Sequence, residues 1–126
     1  MIKFLFTWKN NPDLTEEQCD KHYCTAHTEL ALKGFRKATG LRSYVQNKVV
    51  KHTLVNYNEC DNPVEAEPEF DRFVELYFDD RESMEKTFSL PEIKACFADH
   101  KNFMDVNSPA NLKIYEVVEE IPLKND

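Results

Sequence analysis

Two histidines, His22 and His27, are the residues of this sequence whose type and spacing best support chemistry. Imidazole has an unperturbed pKa of about 6.5, so it can take a proton from carbon or oxygen and return it elsewhere at neutral pH. A spacing of five residues puts the two rings about 140° apart on an α-helix. That angle is too wide for both rings to bind one metal ion from a rigid helix. Read from the residues alone, a histidine on or beside an apolar helix face is more often packed in the core; the functional alternative is an acid or base at His27, with His22 as a second candidate.

The stretch TEEQCDKHYCTAHTEL, residues 15–30, is predicted to be the helix that positions both histidines. Thr15 and Gln18 form a capping box at its start, and glutamates in the first turn suit the positive end of the helix dipole. Residues at three-to-four spacing predict its buried face: Cys19, Tyr23, Ala26 and Leu30. The second histidine lies on or beside this face, and the first lies on its flank.

Polar and aromatic side chains on other segments are candidates for binding a substrate. Tyr44 and Tyr77 come from two different predicted strands and could donate phenol hydroxyls to an oxygen that becomes negative during a reaction. Asp99 and His100 are neighbours on the last predicted helix, so we expect only one of them to point inward and choose His100. An apolar slot for an aromatic ring is predicted from Trp8, Phe6, Phe97 and Phe103. The alternative for the tyrosines and aromatic residues is an ordinary place in the core or in an interface.

The composition is that of one compact domain, which we expect to span residues 1–126. With 41% hydrophobic residues and only two glycines, the chain can bury a core. Its net charge of −7 argues against nucleic acid or an anionic membrane as the partner. The four cysteines form no CxxC pair, nothing resembles a signal peptide, and no apolar run approaches the roughly 18 residues of a membrane span. We expect reduced thiols in a cytoplasmic protein.

The periodicity of apolar residues predicts the order strand, helix, strand, strand, helix, strand. The predicted strands cover residues 2–8, 41–53, 70–78 and 112–121. A short helix ending at residue 87 and a longer helix over 90–103 complete the order, and the acidic stretch 56–69 is predicted to be an exposed loop. Ser89 and Glu92 form the predicted capping box of the longer helix, and Pro91 suits its first turn.

Elements in this order form a four-stranded antiparallel sheet with both helices on one face, which is the ferredoxin-like α+β fold. Both faces of the predicted strands carry large apolar residues. We therefore expect the face without helices to be buried against a second copy of the chain in a homodimer.

Four phrases of the sequence resemble the EthD-domain family of the dimeric α/β-barrel superfamily. They are MIKFLFTWKNNPDLTEEQCDKHYCTAH, GLRSYVQNKV, DRFVELYFDD and SLPEIKACFADHKNFMD, and together they extend over nearly the whole chain. The resemblance implies a ferredoxin-like protomer that dimerises through its sheet into a barrel, with a small-molecule pocket between sheet and helices. It also implies cofactor-free enzymes acting on cyclic or aromatic compounds, such as lactone isomerases and the dehydratases or cyclases of polyketide pathways. Other members are accessory to oxidative degradation.

The same resemblance assigns the family's helix histidine to His27, and an earlier position that is often histidine to His22. In the related lactone isomerases, the histidine at the position of His27 acts in proton transfer. Those enzymes carry a cysteine in the third strand where this chain has Leu76, so a mechanism that needs that thiol is not expected here. Dehydration and isomerisation by proton transfer need only an acid and a base.

We therefore expect a cofactor-independent isomerase, cyclase or dehydratase that acts on a small cyclic, aromatic or polyketide-derived substrate through His27. The alternatives are a cofactor-free monooxygenase that uses the same pocket, and a non-catalytic ligand-binding protein of a degradation pathway. Axial ligation of haem by His27 is less favoured. No cluster of histidines and carboxylates stands at metal-ligand spacing, so we expect neither a metal nor an organic cofactor.

Overall fold

A computed structural model describes residues 1–55, 62–107 and 112–125 of the chain. Its strands are β1 (Ile2–Trp8), β2 (Leu41–Lys48), β3 (His52–Leu54), β4 (Val64–Ala66), β5 (Arg72–Phe78) and β6 (Lys113–Val117). Its α-helices are α1 (Glu16–His22), α2 (Thr28–Phe35), α3 (Arg81–Phe88) and α4 (Pro91–Ala98). A π-helical turn, Tyr23–His27, joins α1 to α2, and a 3₁₀ turn, His100–Asn102, follows α4.

Four strands form one antiparallel sheet in the order β2-β5-β1-β6. Phe4 of β1 lies between Leu76 of β5 and Glu116 of β6, and Tyr44 of β2 lies on the far side of Leu76. The edge strand β6 is shorter than the predicted strand over residues 112–121. The helices pack on one face of this sheet, which confirms the predicted ferredoxin-like α+β fold.

The predicted long strand over residues 41–53 is wrong, because β2 ends at Lys48. The chain then leaves the sheet, and β3 pairs with β4 in a separate two-stranded antiparallel sheet. The stretch 56–69, predicted to be an exposed loop, therefore contains a strand; its residues 56–61 lie outside the described residues. Alternation of side chains shows that a segment is extended but does not show where it changes its partner strand.

The helix predicted over residues 90–103 is shorter in the structure. It ends at Ala98, and the 3₁₀ turn follows. Leu90 is the N-cap and makes no side-chain capping bond, so the capping box predicted from Ser89 and Glu92 is wrong. Pro91 occupies the first turn as predicted, where its missing N–H has no intrahelical partner to lose.

The first helix contains a π-helical turn that the predicted α-helix does not include. The predicted capping box at its start is present. The backbone N–H of Thr28 reaches the carbonyl oxygen of Tyr23, five residues back, and the Thr28 hydroxyl donates to the same oxygen at 2.6 Å. A π turn holds more residues than an α turn, so side chains spaced by four residues remain on one face of the helix through it. The buried positions are Cys19, Tyr23, His27 and Ala31, whereas Ala26, predicted to be buried, is exposed.

One face of the main sheet carries the core. The residues of β1 and β5 that point toward the helices are buried: Phe4, Phe6, Trp8, Val74, Leu76 and Phe78. On the opposite face, Leu5 and Phe73 are half-buried, and Val45 and Tyr115 are exposed. The face without helices therefore keeps large apolar side chains at the surface.

The cysteines of the described residues are Cys19, Cys24 and Cys96, and all three are free thiols. Cys19 and Cys96 are buried, as expected for small apolar side chains, whereas the expectation for Cys60 lies outside the described residues. Among the helices of the described ranges, none is long and apolar enough to cross a bilayer.

Helix α2 packs against α4 at Gly34. A Cβ atom built on Gly34 would lie 2.4 Å from Cδ1 and 2.9 Å from Cγ1 of Ile93. Ile93 is itself fully buried, so its side chain has little room to move. The absence of a side chain at Gly34 thus sets how closely α2 and α4 approach each other.

We predict that Gly34→Ala destabilises the protein by about 1–3 kcal/mol, because the added methyl group must displace Ile93. Denaturant unfolding measures the loss. Ile93→Ala removes the obstructing atoms, so the double variant should lose less stability than the sum of the two single variants. Strictly additive losses would contradict this account of the contact.

Candidate functional site

The side chains of His22 and His27 meet at one carboxylate, that of Asp99. Nε2 of His22 lies 2.9 Å from both oxygens of Asp99, and Nδ1 of His27 lies 2.9 Å from Oδ2. The side-chain amide of Asn102 donates to Oδ1 at 2.7 Å. This carboxylate therefore connects the first helix to the turn that follows α4.

The π turn explains why both histidines reach Asp99. On an α-helix a spacing of five separates two side chains by about 140°, which is why His22 and His27 were expected to diverge. The hydrogen bond from residue i+5 to residue i in the π turn places residues five apart about one turn from each other. The predicted divergence is wrong, because the local helix type differs from the one assumed.

Asp99 and His100 both face this cluster, so the prediction that only one would point inward is also wrong. Neighbours on an α-helix are separated by about 100°. Here α4 has ended at Ala98, and the chain tightens into the 3₁₀ turn. The carboxylate reaches the histidines of the first helix, while the ring of His100 lies 5.3 Å from that of His27, centroid to centroid.

His27 is enclosed and only 4% exposed. Its ring lies 4.3 Å from that of Phe103 and stacks on Tyr23 with a centroid separation of 5.6 Å. Because the ionised carboxylate of Asp99 only accepts hydrogen bonds, Nδ1 carries the proton and donates it, which leaves the lone pair on Nε2. This second nitrogen lies 3.5 Å from the sulfur of Cys96. The ring thus has a carboxylate on one side and a thiol on the other.

Burial and the Asp99 carboxylate shift the pKa of His27 in opposite directions. Burial lowers this pKa, Asp99 raises it, and burial dominates, so the pKa lies below its usual value. The pKa of His100 is lowered to about 4 by burial and by the nearby His27. Burial alone would raise the pKa of Asp99, but hydrogen bonds from Asn102, His22 and His27 hold it below its usual value. At neutral pH the cluster therefore combines neutral imidazoles at His27 and His100 with an ionised carboxylate.

A small chamber adjoins His27. Its volume is about 40 Å³, which is enough for one or two water molecules or a small part of a ligand. The polar residues in its wall are Tyr23, His27, Tyr44, Cys96 and His100. The hydroxyl of Tyr23 is buried, and the hydroxyl of Tyr44 lies within hydrogen-bonding range of it.

An apolar groove of about 480 Å³ lies beside this chamber. Its wall consists of Phe4, Phe6, Met84, Phe88, Ile93, Lys94, Phe97 and Ile114. Phe6, Phe88, Ile93 and Phe97 also belong to the wall of the chamber, so these four side chains separate the two spaces. Ligand pockets usually measure about 300–1,000 Å³ and are mostly apolar, so the groove has the size and lining of a ligand site.

The two candidate tyrosines lie on opposite faces of the sheet. Tyr44 faces the helices and lines the chamber, and its hydroxyl accepts a hydrogen bond from Gln46 at 2.8 Å. Tyr77 lies on the other face, where its hydroxyl donates to Glu119 at 2.9 Å. The prediction that Tyr77 shares a pocket with His27 is therefore wrong, because it alternates with residues of β5 that face the helices.

The predicted aromatic residues lie in three places. Trp8 lines the chamber, and its buried Nε1 has no hydrogen-bond partner among the described residues. Phe103 packs against the ring of His27, and Phe6 and Phe97 stand between chamber and groove. The fold thus brings each of them close to His27 or to the adjacent cavities.

Three residues of this cluster were not among the predicted site residues: Tyr23, Cys96 and Asp99. Tyr23 was assigned to the buried face of the first helix, Cys96 was expected to be a reduced thiol, and Asp99 was set aside in favour of its neighbour. One signal for Cys96 is present in the sequence, because it stands four residues before His100 and that spacing aligns two side chains on a helix.

The fold and this cluster define a class of small α+β proteins in which a buried histidine, held by an aspartate, lies between an antiparallel sheet and its covering helices. The model of the EthD domain matches residues 11–107. The chain belongs to the EthD-domain family.

Solved structures share the fold over nearly the whole chain. An EthD-family protein from Bacillus halodurans is 23% identical, with a TM-score of 0.62, and the match covers 95% of this chain and 100% of that one. A dimeric ferredoxin-like protein of unknown function from Thermobifida fusca is 13% identical, with a TM-score of 0.62 over 94% and 90% of the two chains. A protein from Deinococcus radiodurans, provisionally assigned as an antibiotic biosynthesis monooxygenase, is 15% identical, with a TM-score of 0.59 over 100% and 99%. No curated protein matches significantly.

We predict that Asp99→Asn lowers the pKa of His27 further, because removing the negative charge leaves the effect of burial unopposed. An NMR titration of the His27 ring protons in chelator-treated protein measures this pKa. Asp13→Asn, at an exposed position, is the matched control and should leave the pKa unchanged. A pKa that rises in Asp99→Asn would contradict the assigned hydrogen bond.

Proposed function

We propose that this protein is a cofactor-independent isomerase, cyclase or dehydratase that acts on a small cyclic, aromatic or polyketide-derived substrate by proton transfer at His27. One observation carries the proposal. Nδ1 of His27 is held by Asp99, while Nε2 lies on the side of the ring where Cys96 borders the chamber. A neutral imidazole in this position can accept a proton from a substrate at neutral pH.

The neighbouring groups suit the charges that such a reaction creates. When Nε2 of His27 takes a proton from carbon or a hydroxyl group, the resulting imidazolium is stabilised by the ionised Asp99 at 2.9 Å. The substrate oxygen that becomes negative needs a hydrogen-bond donor. Tyr44 accepts from Gln46 and so keeps its own hydrogen for a further partner, and the Tyr23 hydroxyl beside it supports its position. The proton then returns from the imidazolium to another substrate atom, or to a departing hydroxyl group as water.

The cavities favour an apolar, flat substrate. The groove is lined by aromatic and aliphatic side chains, with Lys94 as the one charged residue in its wall among the described residues. The chamber at His27 is much smaller, so only the reacting edge of a ring fits there while the remainder occupies the groove. Entry requires displacement of the shared wall, and Phe97, 36% exposed, is the most exposed of its four side chains.

A cofactor-free oxygenase is the second candidate. The fold is shared with the Deinococcus radiodurans protein provisionally assigned as a monooxygenase. An apolar pocket beside a base also suits the activation of a phenolic substrate toward O₂. The two candidates differ in whether the reaction consumes O₂.

We predict that His27→Ala lowers turnover by about 10²- to 10⁴-fold, the usual contribution of a positioned acid or base. The measurement is product formation by the purified protein from a panel of muconolactones, hydroxyanthrones and related cyclised polyketides, with and without O₂. His52→Ala is the matched control, because that ring lies in the separate two-stranded sheet. Both variants are compared with the parent by thermal unfolding.

Each outcome separates the candidates. Turnover that is lost in His27→Ala and indifferent to O₂ supports the proposal. Turnover that requires O₂ favours the oxygenase. Thermal stabilisation by a ligand in both parent and His27→Ala, without turnover in either, identifies a ligand-binding protein and removes His27 from catalysis.

The proposed assembly is a homodimer through the sheet face that lacks helices. Large apolar side chains remain at this surface, including Val45 and Tyr115 at 39% and 47% exposure. The Thermobifida fusca relative in fold is described as dimeric. If two copies pack through this same face, related by a two-fold axis, the apolar side chains of both are removed from water.

We predict that Val45→Asp weakens the dimer, because it puts a second carboxylate, beside that of Glu75, into the apolar face that the proposed dimer buries. Light scattering after size-exclusion chromatography measures the mass over a dilution series. Val50→Asp is the control, since Val50 is 87% exposed and follows the end of β2. A parent protein that is monomeric at all concentrations would overturn the assembly without affecting the proposal for His27.

A further inference from the structure

Three potential metal ligands face one another beside the chamber. His27, Cys96 and His100 each offer one ligand atom, and these atoms all lie within 4.8 Å of one another. All three side chains border the same chamber. Imidazole nitrogen and thiolate sulfur are the ligands that Zn²⁺ most often takes from proteins.

The geometry points to a zinc-binding site made by Nε2 of His27, Sγ of Cys96 and a ring nitrogen of His100, with the fourth coordination position open to the chamber. A site with three protein ligands and one open position is the arrangement typical of catalytic rather than structural zinc. The chamber of about 40 Å³ has room for a water molecule at that position.

The distances fit a tetrahedral ion. Zinc bonds of about 2.0 Å to nitrogen and about 2.3 Å to sulfur, at the tetrahedral angle, put the two ligand atoms about 3.5 Å apart. The observed separation of His27 Nε2 and Cys96 Sγ is 3.5 Å. The ligand nitrogen of His100 lies within 4.8 Å of the other two ligand atoms, so an ion at this site would draw the His100 ring closer to them. Cys96 lies in the last turn of α4 and His100 begins the 3₁₀ turn that follows, and both side chains border the chamber.

Asp99 is placed to accept a hydrogen bond from His27, one of the proposed metal ligands. Histidines that bind metals usually donate their second ring N–H to a carboxylate, which orients the ring and fixes the proton on the other nitrogen. Nδ1 of His27 meets Asp99 Oδ2 at 2.9 Å, and His22 and Asn102 hold the same carboxylate in place. The nitrogen that faces Cys96 is therefore the one left free for an ion.

The charges also balance. Burial raises the pKa of the Cys96 thiol to about 12, so the thiol is protonated while the site holds no cation. On binding, the sulfur–zinc bond forms and the thiol proton leaves to solvent. The thiolate and the Asp99 carboxylate then offset the two positive charges of the ion.

This inference goes beyond the proposed proton transfer, because an ion on Nε2 of His27 occupies the atom that would act as the base. The two states exclude each other on one protein molecule. Metal binding is measurable without any substrate, so a failure of either proposal is separable from a failure of the other.

The test is a titration of chelator-treated protein with Co²⁺, which reports thiolate coordination by a near-ultraviolet charge-transfer band, followed by displacement with Zn²⁺. The parent for the test is the double variant Cys24→Ser/Cys60→Ser, which retains Cys19 and Cys96. We expect one equivalent of Co²⁺ to give the band and one equivalent of Zn²⁺ to abolish it. Cys96→Ser should remove the band, whereas Cys19→Ser, which removes the other buried thiol, should retain it.

Two further variants protect the test against a Cys96→Ser protein that fails to fold. His100→Gln should weaken Co²⁺ binding at least tenfold, and Asp99→Asn should weaken it by about 10- to 100-fold, the usual effect of losing an outer contact. Thermal unfolding without metal establishes that each variant is folded. Absence of the band in the parent, or a band that survives in folded Cys96→Ser or is unchanged in His100→Gln, would overturn the site.

Discussion

The carboxylate of Asp99 is the contact on which the arrangement of this site depends. It accepts hydrogen bonds from His22, His27 and Asn102 at once, so it joins the first helix to the turn after α4. That connection requires the two helices to lie close together, and the missing side chain of Gly34 permits the close packing. A carboxylate that is largely removed from water is costly unless its oxygens are hydrogen-bonded; the side chain of Asp99 is 10% exposed, and both of its oxygens have partners. The same bonds that stabilise it also set the orientation and the tautomer of His27.

The sheet and its order could be predicted from the sequence because alternation and strand length carry that information directly. Phe4, Phe6 and Trp8 share a face in the strand as they do in the pattern. The π turn could not be predicted from an assumed period of 3.6 residues, since a single wide turn shifts all later positions. One trace of it remains in the sequence, because Tyr23 and His27 belong to a run of residues spaced by four without the usual step of three.

The residues of the candidate site also divide into those that periodicity could place and those that it could not. Tyr44, Trp8 and His100 come together near His27, because each faces the helices or lies on them as the pattern indicated. Tyr77 does not join them. It alternates with the buried residues of β5, so a strict use of the two-residue period would have placed it on the other face of the sheet. The family resemblance and the strand geometry therefore predict different things about a residue. The resemblance assigns a role to a position, whereas only the register determines which cavity the side chain faces.

The opposition between burial and charge at His27 determines what the site can accept. The buried cluster of His27, His100, Cys96 and Asp99 carries one negative charge when both imidazoles and the thiol are neutral, so its electrostatics favour the arrival of a cation. Burial lowers the pKa of His27 below its usual value, so a solvent proton is not the favoured cation there. A proton taken from a bound substrate would neutralise this negative charge during a reaction. A bound metal ion would neutralise it for as long as the ion stays. The proposed proton transfer and the proposed zinc binding would therefore draw on the same electrostatics, and the occupant of Nε2 would decide between them.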